Sequence, residues 1–194
     1  MKILRRADLV DVPWKNGGGT TRNIAMALAD TKTVWRLSRA DVAQDGPFSN
    51  FAGLERILTI VSGGAMTLEH ANGALHARLW EPVRFDGGLE VTSRLEDGPL
   101  TDLNLMFDPD LCDGMVTPHI GPMSLSVSPP DAGITVFHGL SGAPEIDGAP
   151  LRVGDTAFPN AAVSVNLSEG DALLEIALSY RDQSAAISVS IAER

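Results

Sequence analysis

Apolar and polar residues alternate along most of this chain in short runs, and turn-forming residues interrupt them before a helical stripe can build. Period-two alternation bounded by Gly, Asn, Asp and Pro predicts strands, because successive side chains of an extended chain point to opposite faces. Runs of this kind fall at 33–40 (TVWRLSRA), 54–61 (LERILTIV), 65–70 (AMTLEH), 74–80 (ALHARLW), 89–95 (LEVTSRL) and 102–107 (DLNLMF). Others follow at 123–128, 134–138, 151–153, 163–167 and 172–179. Asn72-Gly73, between two of the runs, supplies positive φ cheaply and predicts a hairpin, and Asp147-Gly148 does the same further on. The expected fold class is all-β.

The two hairpins sit in a faint internal echo. Residues 58–88 read LTIVSGG, an Asn-Gly turn, then VRFDGG; residues 134–158 read ITVFHG, an Asp-Gly turn, then LRVGDTAF. Two copies of one small β-barrel account for it. The segment 108–122 (DPDLCDGMVTPHIGP) is rich in Pro, Gly and Asp and reads as the connection between the halves. The expected division is therefore 1–107 and 108–194, within a length of 194 residues that suits one large or two small domains.

Charge sharpens this division. The formal net charge is −10, yet residues 1–107 hold 12 basic and 13 acidic side chains while 108–194 hold 3 and 12. Nucleic acid is an unsuitable partner for such a balance, since phosphate binding draws on clustered cations. Those cations that could hold a small anion lie almost entirely in the first half. A single cysteine, Cys112, cannot form an internal disulfide, and no run approaches the ~18 apolar residues of a membrane span. The start, MKILRRADLVDVPWK, has no apolar leader, so a cytoplasmic location without a membrane partner is the expectation.

Candidate chemistry begins at Pro13-Trp14-Lys15-Asn16-Gly17-Gly18-Gly19-Thr20-Thr21-Arg22, where three glycines allow a sharp turn or close approach to a ligand and Lys15, Asn16 and Arg22 offer donors. The order of a P-loop is missing. Strand phase says more. Arg36 and Ser38 share a face with Val34 and Ala40, Arg56 shares one with Leu58 and Ile60, and Asp102 and Asn104 share one with Met106. Turned outward, these faces are merely solvated; turned into a barrel, they bring ions together at several kcal/mol each unless partners or a ligand satisfy them.

Three segments carry a resemblance that turns them inward. PWKNGGGTTRNIA at 13–25, WRLSRADVAQDGPFSNFAGLER at 35–56 and DGPLTDLNLM at 97–106 resemble the successive motifs of the HutD/Ves family. The resemblance implies a bicupin, two fused cupin barrels, whose first barrel binds a small anionic metabolite such as formylglutamate or urocanate and modulates histidine utilisation. It implies pocket positions at Trp14, Lys15, Asn16, Arg22, Arg36, Ser38, Arg56, Asp102 and Asn104. Two departures are Asn23, where Glu is usual, and Arg39, where an apolar residue is usual; Arg39 is expected near a strand end. A homodimer is expected by analogy with other cupins.

No cofactor and no metal are expected. His70, His76, His119 and His138 lack the His-x-His spacing of metal cupins, and His70 and His76 read as exposed hairpin residues. The rival to a binding protein is a metal-independent isomerase or hydrolase with Asp102 as general base. Neighbouring arginines are expected to hold Asp102 too acidic for that role.

Overall fold

The computed structural model of the protein describes residues 1–182 and 186–192. Strands fill almost every stretch between turns, and the 3-10 turn at Arg6–Asp8 is the sole helical element among the described residues. The chain forms two units. One holds Val10–Leu111 with the described residues 186–192; the other holds Met1–Leu9 with those from Cys112 to 182.

In the first unit the main sheet runs Val12–Pro13, Gly19–Ala29, Lys32–Val42, Leu100–Phe107, Glu55–Ser62, Val83–Asp86, with Ile187–Ile191 also paired to Gly19–Ala29. Leu100–Phe107 is buried along its whole length, flanked by antiparallel neighbours on both sides. The opposing sheet runs Gly46–Pro47, Thr92–Glu96, Ala65–His70, Gly73–Ala77. Val42, Leu58, Ile60, Met66, Leu68, Phe85 and Leu100 form a core between the sheets. Each comes from the inward phase of its strand, which is why alternation reads clearly there.

The second unit repeats the plan. Its larger sheet runs Lys2–Leu4, Thr156–Phe158, Gly133–Ser141, Ala172–Tyr180, Cys112–Ile120, and its smaller sheet runs Met123–Val127, Val163–Leu167, Glu145–Ile146, Ala149–Pro150. Phe137, Ile146, Leu151, Val165 and Leu173 centre its core. Each end of the chain thus pairs into the sheet of the other half. The units divide between Leu111 and Cys112, and the long-range pairing of the ends cannot be seen in local pattern.

Other differences have local causes. The expected connection at 108–122 contains the nine-residue strand Cys112–Ile120. It lies at a sheet edge with Ala172–Tyr180 as its neighbour, where Pro118 and Gly114 are tolerated because one side of the ladder is open. The run expected at 151–153 is irregular and leads into a turn at Val153 and Gly154, and the strand falls at Thr156–Phe158. Asp147 and Gly148 adopt φ of 50° and 75° in the expected hairpin. In the other hairpin His70 pairs with Gly73, so the turn residues are Ala71 and Asn72.

Candidate functional site

The glycine run is the turn of a hairpin in which Val12 pairs with Thr21 and Pro13 with Thr20. The backbone amide of Gly17 donates to the Trp14 carbonyl at 3.0 Å, and that of Gly18 donates to Asn16 Oδ1 at 3.0 Å. Gly19 is required for close approach, since a Cβ there would stand 2.4 Å from the Asp41 carbonyl oxygen and 3.1 Å from the Trp14 ring. Trp14 is further fixed by its Nε1, which donates to Thr21 Oγ1 at 2.7 Å. The turn therefore holds Trp14, Lys15 and Asn16 at the rim of a cavity of about 440 Å³.

Three strands build the wall beneath that rim. Pairing places Arg36, Met106 and Arg56 in one row, Ser38 and Asn104 in the next, and Ala40 and Asp102 in the third. These side chains line the cavity. Arg56 is 3 % exposed and Asp102 is fully buried. Arg56 donates through Nη2 to Asn104 Oδ1 at 2.8 Å and through Nη1 to the Ser49 carbonyl at 3.4 Å. Its guanidinium carbon lies 5.3, 5.4 and 5.0 Å from the ring centres of Phe48, Phe51 and Phe85. An arginine held among three aromatic faces has few rotamers left and a charge that bulk water does not screen. Arg36 donates through Nε to Asn23 Oδ1 at 2.8 Å and through Nη2 to the same oxygen. Asn23 thus orients Arg36 without neutralising it.

Burial shifts these groups in the direction that disfavours charge. It pushes the Arg56 guanidinium down to about 10, and the charge of Arg36 adds to this while Asp102 opposes it. Burial also lowers Arg36. Asp102 is pushed up to about 7 by burial, which outweighs the opposing charge of Arg56 and the hydrogen bond from Asn104. The expectation that arginines keep Asp102 acidic is therefore reversed, because desolvation is the larger effect for a fully enclosed carboxyl.

Eight of the nine sequence-predicted positions line the cavity; Arg22 does not. Arg22 pairs in register with Arg39, so it takes the opposite face of its strand, where its Nε donates to Asp11 and its Nη1 to Asp41, both at 2.6 Å. Thr101 Oγ1 also donates to Asp41, at 2.8 Å. Arg39 is buried within its strand and not at an exposed end. Sequence reading missed Phe51, Phe85 and Ser49 around Arg56; Phe48 carried a signal, as an aromatic after Gly46-Pro47 near the pocket mouth. The histidines stand apart: His76 lies across from Thr67 and His70 from Gly73. His119 pairs with Glu175 at 2.8 Å. Among the described residues no cluster of three or more His, Cys, Asp or Glu suits a metal. Nor, among them, is any helix long and apolar enough to cross a membrane.

Two antiparallel sandwiches on one chain, the first with a cavity of charged, amide and aromatic side chains cut into its inner face, define a bicupin. Quercetin 2,3-dioxygenase from Acinetobacter baumannii shares the fold with a TM-score of 0.62 at 13% identity, over 92% of this chain and 78% of that one. The chain belongs to the HutD family, whose sequence profile matches residues 6–174. HutD from Pseudomonas fluorescens SBW25, in a formate condition, is similar with a TM-score of 0.80 and 29% identity over 93% of this chain and 99% of that one. Protein Ves of Citrobacter koseri is 38% identical over 106 residues, 53% of this chain and 56% of the relative. An uncharacterized 21.2 kDa protein in the hutC 3′ region of Pseudomonas putida is 36% identical over 112 residues, 56% of this chain and 59% of the relative. The matched stretch spans little more than half the length of these two relatives.

Proposed function

We propose that the first unit binds a small mono- or dicarboxylate between Arg36 and Arg56, with Lys15 and Asn16 at the entrance, and that the bound acid lets the protein modulate histidine utilisation. Formylglutamate and urocanate, the acids that the family resemblance implies, are the first to test; membership of the HutD family and a relative from a hutC 3′ region support that choice of pathway. One observation carries the reading: among the described residues, both guanidinium groups in the cavity hydrogen-bond only to neutral oxygens, those of Asn23, Asn104 and Ser49. A buried cation, Arg56, beside a half-buried one, Arg36, is unfavourable without an ion-pair partner, and a carboxylate can accept parallel hydrogen bonds from a guanidinium fork. Arg22, turned to the far side of the sheet and bound to Asp11 and Asp41, is left out of the contact set.

The test is a thermal-shift screen of formylglutamate, urocanate, glutamate, glutarate and formate on protein stripped by unfolding and refolding. At about 100 times its dissociation constant a ligand adds ~2.7 kcal/mol to the folded state. At roughly 2–4 °C per kcal/mol for a chain of this size, the midpoint should rise by about 5–11 °C. Arg36→Met and Arg56→Met should abolish the rise. No shift with any acid, or full shifts in both variants, sinks the reading. The near-neutral Asp102 also favours a second reading, a metal-independent isomerase or hydrolase with Asp102 as base. It requires chemical conversion of a bound acid, visible by NMR and absent in Asp102→Asn.

A further inference from the structure

Asp102 is hard to reconcile with an anion site if it is itself an anion. It lies in the wall of the cavity that Arg36 and Arg56 line, fully buried, two strand positions from Asn104. Asn104 donates to its Oδ1. Its other oxygen, Oδ2, is also buried and has no hydrogen-bond partner among the described residues. A buried ionised oxygen without a donor is among the least favourable arrangements in a protein interior, whereas a neutral carboxyl can turn the same oxygen into an O–H donor. Bringing a carboxylate beside Arg36 and Arg56 would place a second negative charge against the first.

The surroundings of Asp102 are mixed in charge. From Glu55–Ser62 it faces Arg56; from Lys32–Val42 come the fields of Arg39 and Asp41, the latter already tied to Arg22 and Thr101. Arg36, on that same strand, and Lys15, at the rim, share the cavity lining. Asn104 joins the two key groups, accepting from Arg56 on its amide oxygen and donating to Asp102 from its amide nitrogen. This chain ties the enclosed Asp102 carboxyl to Arg56 through a single amide in the cavity wall.

We propose that Asp102 takes up one proton from solvent as the acid binds, so that Oδ2–H donates a hydrogen bond to the bound carboxylate beside Arg36 and Arg56. The inference rests on the carboxylate reading above and adds to it a proton linkage and a discriminating contact. One bond forms, between Oδ2 and the proton, and the proton comes from the buffer acid. Asp102 thereby selects ligands that present an accepting oxygen to it and disfavours those that present only an N–H group. A carboxyl placed near pH 7 by burial makes the uptake readable in ordinary buffers.

The experiment is titration calorimetry with formylglutamate, and separately with glutarate, at pH 8 in HEPES and in Tris, whose ionisation heats differ. The wild-type heats should differ between buffers by an amount equal to nearly one proton taken up per acid bound. Its dissociation constant should rise by up to about tenfold per pH unit above pH 7. Asp102→Asn, which keeps shape and a donor, should give equal heats in both buffers and a flat pH profile. Should that variant fail to fold, the 13Cγ signal of Asp102 in the wild type is read instead; it should move to the protonated position on adding glutarate at pH 8. Binding without proton uptake, or an Asp102 signal that stays ionised, overturns this inference and leaves the carboxylate reading standing. Absence of binding by either acid at any pH overturns both.

Discussion

At the scale of single residues, the cavity is governed by desolvation. An ordinary carboxyl ionises near 3.8, while folding carries Asp102 to about 7. Between those values the folded chain keeps a proton that the unfolded chain has released. Stability from this group is therefore complete below the unfolded value, declines as pH rises, and is gone once pH passes the folded value. From pH 5.5 to pH 8 the loss amounts to about 2 kcal/mol. Asp102→Asn cannot titrate, so its stability relative to wild type should rise by that amount over the interval, measured by urea unfolding at the two pH values. An unchanged difference would show that Asp102 titrates as an exposed carboxyl does. A period of two fixes the shared phase of Arg36, Arg56, Asp102 and Asn104 in the sequence, but only the family resemblance turned those faces inward. The sequence concealed the direction of the Asp102 shift, since charge neighbours can be guessed from phase but full enclosure depends on every covering element. Arg22 was misplaced for a related reason: its strand, Gly19–Ala29, starts at the last residue of a glycine run that reads as a turn, so no phase was assigned to it.

Among elements, the hairpin turn and the segment around Phe48 do most to shape the site. The turn depends on the absence of a side chain at Gly19, because the atom that a Cβ would meet at 2.4 Å is backbone and cannot swing aside. Gly19→Ala should destabilise the protein by ~1–3 kcal/mol, as overpacked sites do, and should move the Trp14 ring that forms the rim. Gly46→Ala is the control, with nothing within 4 Å of its added carbon, and should be near neutral. Thermal melts with Trp fluorescence as a second probe separate the two; equal melting midpoints would refute the close approach. Phe48 and Phe51 act differently. Phe48 meets the Trp14 ring edge to face at 6.4 Å, and both phenylalanines flank the Arg56 guanidinium. Phe51→Ala should leave Arg56 charged but less enclosed and weaken acid binding through faster release, measurable by stopped-flow. These loop aromatics had no strand phase to reveal them. The edge strand Cys112–Ile120 was equally hidden, because proline and glycine mark turns in most settings and only its edge position permits them here.

For the molecule as a whole, the informative feature is that neither half is closed by its own stretch of sequence. Lys2–Leu4 extends the second unit's sheet by pairing with Thr156–Phe158, and nearby Arg5 Nη1 and the Arg6 amide donate to the two oxygens of Asp155 at 2.7 and 2.9 Å. Ile187–Ile191 pairs with Ala25–Ala29 of the first unit, and the Ala192 amide donates to the Ile24 carbonyl at 2.9 Å. Both contacts cover strands that would otherwise present open edges, which invite pairing with other chains. Removing residues 1–9 should therefore speed amide exchange at Thr156–Phe158, and ending the chain at residue 182 should do the same along Gly19–Ala29. Each shortened chain should also aggregate more readily than the full one. Hydrogen exchange read by mass spectrometry distinguishes the cases, since each deletion is expected to act first on the strand that it uncovers. Exchange that rises equally over all strands in both shortened chains would mean that the termini support global stability only, and that their pairing is not the local seal that the sheet order describes.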